Sequence, residues 1–371
     1  MLSGIKVVEI CGIGPGPFCA MHLADLGADV IAVERGDQGG GRANLVNRGK
    51  RSVAADLKTA EGRELVLRLI EDADVLIEGM RPGVMERLGL GPEVCKARNP
   101  RLVFGRMTGW GQSGPMAQAA GHDNNYISLS GALYHNGTPS EPPSTAITLL
   151  GDIGGGALYL AVGLLAGVLK ARQTGQGTVV DAAILDGSAH MMQLMLSTRN
   201  AGFFGEGFKR GNNLHDSSHF YSTYRCADGE FITLGSIEPQ FYALLLDKLG
   251  LQDDPRFARQ WDSKQWGEMQ GHFAELFQTR TRAQWCELLE YTDVCFAPVL
   301  SPDEAARHPH NTARQVYFER DDMLQTVAAP RFDDKVVVPG PIPRFGEHTE
   351  QVLAALDDAQ ASIWRSMAGA G

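Results

Sequence analysis

The stretch AGHDNNYISLSG sets His122 beside Asp123 in a small-residue loop, and the stretch GDIGGG sets Asp152 directly before a run of glycines. A histidine titrates near neutrality and a carboxylate can accept a proton from a carbon acid. His122 and Asp152 would therefore make a two-base device if they faced one another across a pocket. One group would remove a proton from one side of a carbon, and the conjugate acid of the other would return a proton on the opposite face. Each residue also has an ordinary use. A histidine in a loop is commonly a hydrogen-bonded structural residue, and Asp152 could cap the helix that follows, a contribution of about 1 kcal/mol. The glycines would let another molecule approach the exposed N–H groups of that helix's first turn, where an oxyanion beside a carboxylate base would be stabilised. The residues alone leave capping and chemistry both open.

A second glycine-rich stretch, GIGPGP, joins an apolar strand to a helix, and Glu34 ends the next strand. That is the outline of a dinucleotide fingerprint. However, Pro17 stands where the third glycine belongs, and Pro15 and Pro17 remove N–H donors that a pyrophosphate would use. A structural or differently used turn is the better reading. Basic residues gather at Arg42, Arg48, Lys50 and Arg51 and again at Arg81 and Arg87. Most read as solvated surface, although two such segments in loops after strands could line an anionic pocket. Met191, Met192 and Met195 at helical spacing read as core filler or, if exposed, as an adaptable surface for acyl chains.

These residues need a frame to hold them. The first part of the chain alternates β-branched runs (IKVVEI, ADVIAVE, ADVLIEG, PRLVFGRMTGWG) with helical spacing, which implies an α/β fold with a parallel sheet. A long apolar helix follows Gly151, then a strand TVVDAAI and a helix DGSAHMMQLML. Glycine-rich, aperiodic text from about Asn200 to Ser218 reads as a linker. Beyond it come a hairpin turning at Asp228-Gly229, helices around PQFYALLLDKLG, EMQGHFAELFQ and RAQWCELLEYT, and thus a smaller α+β domain reaching about Pro302. Short strand-like pieces and a helix TEQVLAALDDAQASIWRSM complete the chain.

A length of 371 residues allows two domains, and 43% hydrophobic with 21% charged residues is ordinary for a globular protein. The net charge of −10 argues against a nucleic-acid-coating protein. The opening MLSGIKVVEI has no basic segment followed by a cleavable apolar run, so no secretory signal is expected. The most apolar run, ALYLAVGLLAGVL, is about seven residues short of a membrane span. The six scattered cysteines contain no C-x-x-C pair, a pattern of reduced thiols rather than a disulfide framework or metal site. A cytoplasmic enzyme is expected, with neither nucleic acid nor membrane as a partner.

Taken together, GIGPGPFCAMHLADLGADV, NRGKRS followed by ADLK, VLIEGMRPGVMERLGLGP, RMTGWGQSGP with AGHDNNYISLSG, GDIGGG, TGQGTVVDA and ADGEFITLGSIEPQFY give a specific pattern across nearly the whole chain. The sequence resembles the family III CoA-transferases and, within them, the α-methylacyl-CoA racemases. The resemblance implies a large Rossmann-like domain over 1–199, completed by the tail 320–371, with a linker 200–219, a small domain 220–302 and a return linker 303–319. It further implies an interlocked homodimer whose active site is shared between subunits.

It also implies roles for individual residues. His122 and Asp152 fall on the acid/base pair of the racemases, which interconvert (2R)- and (2S)-2-methylacyl-CoA thioesters through an enolate. Glu238, in IEPQFY, would come from the partner chain and help set the histidine. Contacts to coenzyme A are implied at Arg35, at Ala55, Asp56, Leu57 and Lys58, at Arg81 and Arg87, and along Gly121, Asp123, Asn124, Asn125 and Tyr126. Asp123 thereby moves to the CoA-facing side. The helix start at Ile153 to Gly155 would receive the enolate. Neither metal nor redox cofactor is implied, and coenzyme A enters as part of the acyl-CoA substrate.

Transferases of the superfamily use the equivalent of Asp152 as a nucleophile that forms an acyl anhydride and so moves CoA between carboxylic acids. The histidine opposite it, the IEPQFY segment and the lack of a glycine-rich flap favour proton transfer. One departure stands out: the racemases carry LDGGAP followed by aromatics after an asparagine, where this chain has NLHDSSHFYSTY. Asp216, Ser217, Ser218 and His219 point to a different, more polar acyl group, to an altered activity, or to surface variation.

Overall fold

Lys6–Ile10 (β1) buries its residues on both faces after Lys6, as a parallel strand covered by helices must. The chain then turns through Gly14, at φ 77°, into the helix Pro15–Asp25 (α1). Pro15 occupies the first helical position, where a missing N–H costs nothing. Asp29–Glu34 (β2), Arg51–Ala54 (β3), the helix Ala60–Ile70 (α2) and Val75–Glu78 (β4) follow. Next come Val84–Arg87 (α3), Pro92–Arg98 (α4), Val103–Thr108 (β5) and Asp123–Leu129 (α5). Leu149–Ala157 then winds as a wide π-helical turn that continues into Leu158–Thr174 (α6), ahead of Val179–Ala183 (β6) and Ile184–Met191 (α7). This computed structural model describes residues 1–36, 43–200, 209–211 and 213–357. Arg42 and most of the expected linker before Lys209 lie outside them.

The chain divides into two units, one comprising Met1–Ser130, Ile147–Met191 and Arg314–Gly371, the other Gly131–Ala146 and Met192–Ala313. In the first unit six strands form the expected parallel sheet, in the order β3-β2-β1-β4-β5-β6. Neighbouring residues go to opposite faces: Val7, Ile77 and Val103 pack with Leu23 of α1 and Leu164 of α6, whereas Val8, Leu76 and Phe104 pack with Val66 of α2 and Cys95 of α4. The strand order reverses between β1 and β4, and an open sheet has its crevice at such a point, at the carboxyl ends of the strands.

Two basic residues expected on the surface or in an anionic pocket are internal. Lys50 Nζ pairs with Glu9 Oε2 at 2.6 Å, both side chains fully buried, and donates to the Pro17 carbonyl at 3.0 Å. Arg48 pairs with Asp25 at 2.6 Å and donates to the Thr326 carbonyl at 2.8 Å. Buried charges persist only when paired, so both cations tie the chain around α1 rather than meet a ligand. Arg51 stays partly exposed, paired with Asp29 at 2.6 Å.

In the second unit, Gln193–Asn200 (α8) and Leu214–Ser217 (α9) precede Thr223–Arg225 (β7) and Phe231–Leu234 (β8). These strands form the expected hairpin around Gly229, closed by the Cys226 N–H donating to the Glu230 carbonyl at 2.8 Å. The expected helices are Pro239–Leu249 (α10), Trp266–Phe277 (α11) and Arg282–Leu289 (α12); Phe296–Pro298 (β9) adds a strand beside β8, and Pro302–Arg307 (α13) and Pro309–Ala313 (α14) follow. The departure at 216–219 folds inward. Ser217 Oγ donates to the Asn213 carbonyl at 2.7 Å and Ser218 Oγ to the Leu214 carbonyl at 2.6 Å. His219, 1% exposed, sits among Phe220, Phe257 and Phe273 and shares a 2.7 Å hydrogen bond with the Tyr242 hydroxyl. Burial holds its imidazole down at about 3, so it is neutral at physiological pH. This stretch is core, not surface variation.

Back in the first unit, Tyr317–Arg320 (β10) and Met323–Thr326 (β11) pair across Asp321-Asp322, both at positive φ as a tight hairpin turn requires. Residues 349–357 are helical, and the rest of the expected final helix lies outside the described residues. The wide turn and α6 make one helical run of 26 residues, longer than the apolar run read from sequence and long and apolar enough to cross a membrane by length and composition. Its Leu160, Leu164 and Val168 are buried in the core of this unit.

The glycines after Asp152 have a packing purpose. A Cβ on Gly155 would lie 2.4 Å from Ser188 Oγ, and one on Gly187 of α7 would lie 1.9 Å from the Gly155 carbonyl oxygen. The approach that these glycines permit is that of α7, in place of the second molecule expected from sequence. Gly187→Ala should lower the unfolding free energy by about 1–3 kcal/mol, because the new methyl meets backbone that cannot rotate away. Gly271→Ala, in α11 with nothing within 4 Å of the added carbon, should leave stability unchanged or raise it by up to ~1 kcal/mol. Chemical denaturation of both variants checks the opposite signs.

Candidate active site

A cavity of about 370 Å³ occupies the crevice where the sheet order reverses. Its walls come from three strand-following loops: Gly12–Pro17 after β1, Gly79–Pro82 after β4 and Gly109–His122 after β5. Asp152 of the wide turn completes it. His122 and Asp152 therefore line one cavity. Its third wall includes Met107 and Trp110, which the sequence reading did not single out.

His122 is fixed by its backbone. It stands at the N-cap of α5, where its N–H donates to Asn125 Oδ1 at 3.0 Å, while its side chain is exposed to the cavity side. The Tyr126 ring fills the space that side chains at Gly109 and Gly121 would need, since a Cβ there would lie 2.0 Å and 2.7 Å from ring carbons. The Tyr126 hydroxyl donates to the Gly121 carbonyl, and Trp110 meets the ring edge-on at 4.7 Å. These contacts clamp the residue before the histidine and so set where His122 stands.

Asp152 is set by burial and by a second carboxylate. Its main-chain N–H donates to Asp123 Oδ1 at 2.6 Å, and Asp123 is only 3% exposed. Asp123 Oδ2 is buried with no hydrogen-bond partner. A Cβ on Gly151 would lie 2.3 Å from Asp123 Oδ1, so this approach requires the glycine. Burial first, then the charge of Asp123, pushes the Asp152 carboxyl up to about 6, against an opposing pull from His122. A carboxyl titrating there can exchange protons near neutral pH in either direction. Asp123, expected to face CoA, instead stands behind Asp152. The amides expected to receive an enolate are also engaged, because the helix starts at Leu149 and the Ile153 N–H donates to the Thr148 carbonyl at 3.3 Å. The N-terminus of α1 lies at the cavity instead, where Gly14 stands against Asp152 Oδ2, 3.4 Å from its would-be Cβ.

The remaining site residues distribute as follows. Gly121, Tyr126 and Arg81 line the cavity. Arg35 pairs with Asp56 at 3.5 Å at the ends of β2 and β3, and both are substantially exposed. Asp56 Oδ1 accepts the Lys58 N–H at 2.9 Å, Lys58 is exposed, Ala55 donates its N–H to the Glu34 carbonyl at 2.9 Å, and Leu57 is buried in the core with Val66. Leu57 thus offers a ligand no side chain. Arg87 ends α3 and is exposed, and Asn124 is half-buried. Glu238 belongs to the second unit, exposed at the N-cap of α10. Glu34, the residue a dinucleotide ribose would need, is 7% exposed and accepts from Ser52 Oγ and from Asn47 Nδ2. That engagement agrees with setting the fingerprint aside.

Beneath the loops lies a further charged group that the sequence reading passed over. Glu78, Arg106 and Asp181 sit side by side on β4, β5 and β6. Burial pushes the Glu78 carboxyl up to about 7, against the Met80 N–H and Arg106. The available signal was a charged residue at the end of each of two strands otherwise apolar, in VLIEG and LVFGRM.

A model of CoA-transferase family III matches residues 2–349. The α-methylacyl-CoA racemase of Mus musculus is 41% identical over 367 residues, covering 98% of this chain and 95% of the relative. That of Homo sapiens is 40% identical over 377 residues, with the same coverage of 98% and 95%. Among solved structures, a CAIB/BAIF family protein from Brucella suis superposes with a TM-score of 0.79 at 27% identity, covering 96% of this chain and 99% of that one.

The buried neighbour makes a specific demand on Asp152. Asp123→Asn removes a charge while keeping an oxygen to accept the Asp152 N–H, so the Asp152 carboxyl should titrate below its wild-type value of about 6. Carbon-13 carboxyl titration by NMR checks this. An unmoved Asp152 would leave burial as the sole cause.

Proposed function

Because the chain belongs to CoA-transferase family III, we propose that it is an isomerase, a racemase that interconverts (2R)- and (2S)-2-methylacyl-CoA thioesters without a metal or redox cofactor. The observation that carries this reading is the pairing of His122 with a high-titrating Asp152 on the walls of one cavity. The relatives most informative on activity are racemases along their whole length.

The proton on the α-carbon of a thioester is acidic because the carbanion delocalises onto the carbonyl oxygen. One of the pair removes it, and the protonated partner returns a proton on the opposite face. Asp152 as a base must be ionised, and as an acid must be protonated. A carboxyl near 6 allows both with a small free-energy difference between the two states. Negative charge on the thioester oxygen is met by the dipole of α1 and the Gly16 N–H at its start, since Pro15 and Pro17 donate none. The nucleotide end of the substrate runs toward Arg81, Arg87, Arg35 and Lys58, whose charges suit its phosphates. The site is completed in an interlocked homodimer, where Glu238 of the partner subunit orients His122.

The test is α-hydrogen exchange with solvent deuterium, followed by mass spectrometry on each enantiomer of a 2-methylacyl-CoA. Wild type should exchange both enantiomers and racemise them. His122→Ala and Asp152→Ala should each reduce racemisation by about 10²–10⁴-fold. Each variant should retain exchange with only the enantiomer whose proton the surviving base removes. For the enantiomer that Asp152 deprotonates, kcat/KM should rise with pH through about 6 as that carboxyl ionises. CoA transfer that needs an added carboxylic acid, with no α-exchange in its absence, would reverse the assignment in favour of a nucleophilic Asp152.

A further inference from the structure

The two loops that bound the cavity on the side of β4 and β5 are bridged by one guanidinium. Arg106 projects from β5 with its side chain 11% exposed. Its Nε stands 3.3 Å from Glu78 Oε1, an ion pair not aligned as a hydrogen bond. One terminal nitrogen donates to Glu86 of α3, and the other donates to Gln112 Oε1 at 2.9 Å. Glu78 in turn accepts the Met80 N–H at 2.7 Å through Oε2, and the Gln112 N–H donates to Asp181 Oδ2 at 3.2 Å. A separate tie joins the same loops farther out, from Gln118 Nε2 to the Pro82 carbonyl at 3.1 Å.

This arrangement fixes the segment carrying Arg81 and Arg87 at both ends. Met80, next to Arg81, is held through Glu78, and Glu86, next to Arg87, is held directly. The stem of Glu86 lies close over Gly91, where an added Cβ would come within 2.9 Å of its Cγ. The four-residue α3 is too short to keep its place by helical hydrogen bonds alone. We propose that Arg106 is a positioning residue for the nucleotide end of the substrate: by bridging Glu78, Glu86 and Gln112 it sets where Arg81 and Arg87 stand. The inference rests on the reading that those two arginines meet the CoA phosphates. A lysine cannot replace Arg106, since an ammonium is a point charge and lacks the planar fork that reaches separate acceptors at once.

The test uses the full-length protein and two substrates with the same 2-methylacyl group, one on CoA and one on pantetheine, which lacks the nucleotide. Kinetic constants come from α-hydrogen exchange. For Arg106→Gln the KM for the CoA thioester should rise about tenfold or more, the size of one lost charge-assisted contact, with kcat changed by less than about threefold. The KM for the pantetheine thioester should move by less than about threefold, because the misplaced arginines have no phosphate to miss there. Arg106→Lys should not restore the wild-type KM. Glu86→Gln should shift KM the same way by a smaller factor; with a side chain 46% exposed, that residue can be changed without disturbing the strand, and it decides the matter if Arg106→Gln does not fold.

Equal losses on both thioesters, or a loss confined to kcat, would overturn the positioning role. Arg81→Gln and Arg87→Gln serve as the reference. If these do not distinguish the two thioesters, the assumed phosphate contacts fail and the inference fails with them. Absence of exchange by wild type on either thioester would instead count against the racemase reading itself.

Discussion

The structure of the first unit depends on a close backbone approach between the wide turn 149–157 and α7. The Gly155 carbonyl lies where any side chain on Gly187 would begin. From that contact the positions of Asp123 and Asp152 follow. The π-helical turn carries Gly151, which allows Asp123 of α5 against it, and Asp152, which reaches the Gly14 corner of the β1–α1 loop. Gly156 admits Pro15 and Ile184 from two further elements, each 3.0–3.3 Å from its would-be Cβ. An ordinary helix start with side chains at these positions would hold β1, α5 and α7 farther apart. Asp152 would then lose both the burial and the neighbour that raise its titration.

Charge is distributed around this contact by a consistent logic. Cations that the fold needs for itself, Lys50 and Arg48, are withdrawn into buried ion pairs beneath α1. Arg35, Lys58, Arg81 and Arg87, the cations proposed to meet the nucleotide, stay exposed beyond the carboxyl ends of the strands. Between the two sets lies Arg106, mostly buried yet reaching two loops. Carboxylates follow the reverse arrangement. Burial raises Glu34, Glu78 and Asp152, all near the carboxyl edge of the sheet. Glu34 and Glu78 are answered by hydrogen bonds or a cation. At Asp152 the pull of His122 opposes both burial and the second negative charge of Asp123, and proton exchange is the chemistry such an imbalance favours.

Much of this frame was legible in the sequence because parallel strands and their helices leave strong periodic signals. VVEI, DVIAVE and VLIE have the continuous apolar character of strands covered on both faces, and each falls where a strand is found. His122 and Asp152 could be named because their flanking glycines mark irregular backbone. What periodicity cannot encode is contact across elements. The family resemblance puts Asp123 on the CoA-facing side, but α5 begins at that residue and the side chain is buried. The glycines of GDIGGG looked like access for a ligand, since a sequence does not record that α7 comes back over them. His219 looked superficial because polar residues usually are, whereas a hydrogen bond to Tyr242 lets an imidazole sit inside an aromatic core.

The same carboxylate could in principle serve as base or nucleophile, and its surroundings bear on which. A carboxylate attacking a thioester carbonyl must be ionised and free to approach an electrophilic carbon. It gains nothing from a second negative charge behind it unless that charge raises its nucleophilicity more than it reduces the ionised fraction. A base that must also act as an acid gains directly, because its conjugate acid has to persist at the working pH. Asp123 contributes that persistence from a position where it cannot itself reach the cavity. Its Oδ1 is committed to the Asp152 N–H and its Oδ2 is sealed from solvent. On the racemase reading proposed above, the two aspartates have unlike duties: Asp152 faces the cavity and Asp123 stands behind it. His122, next to Asp123 in the chain, lines the cavity that Asp123 does not reach.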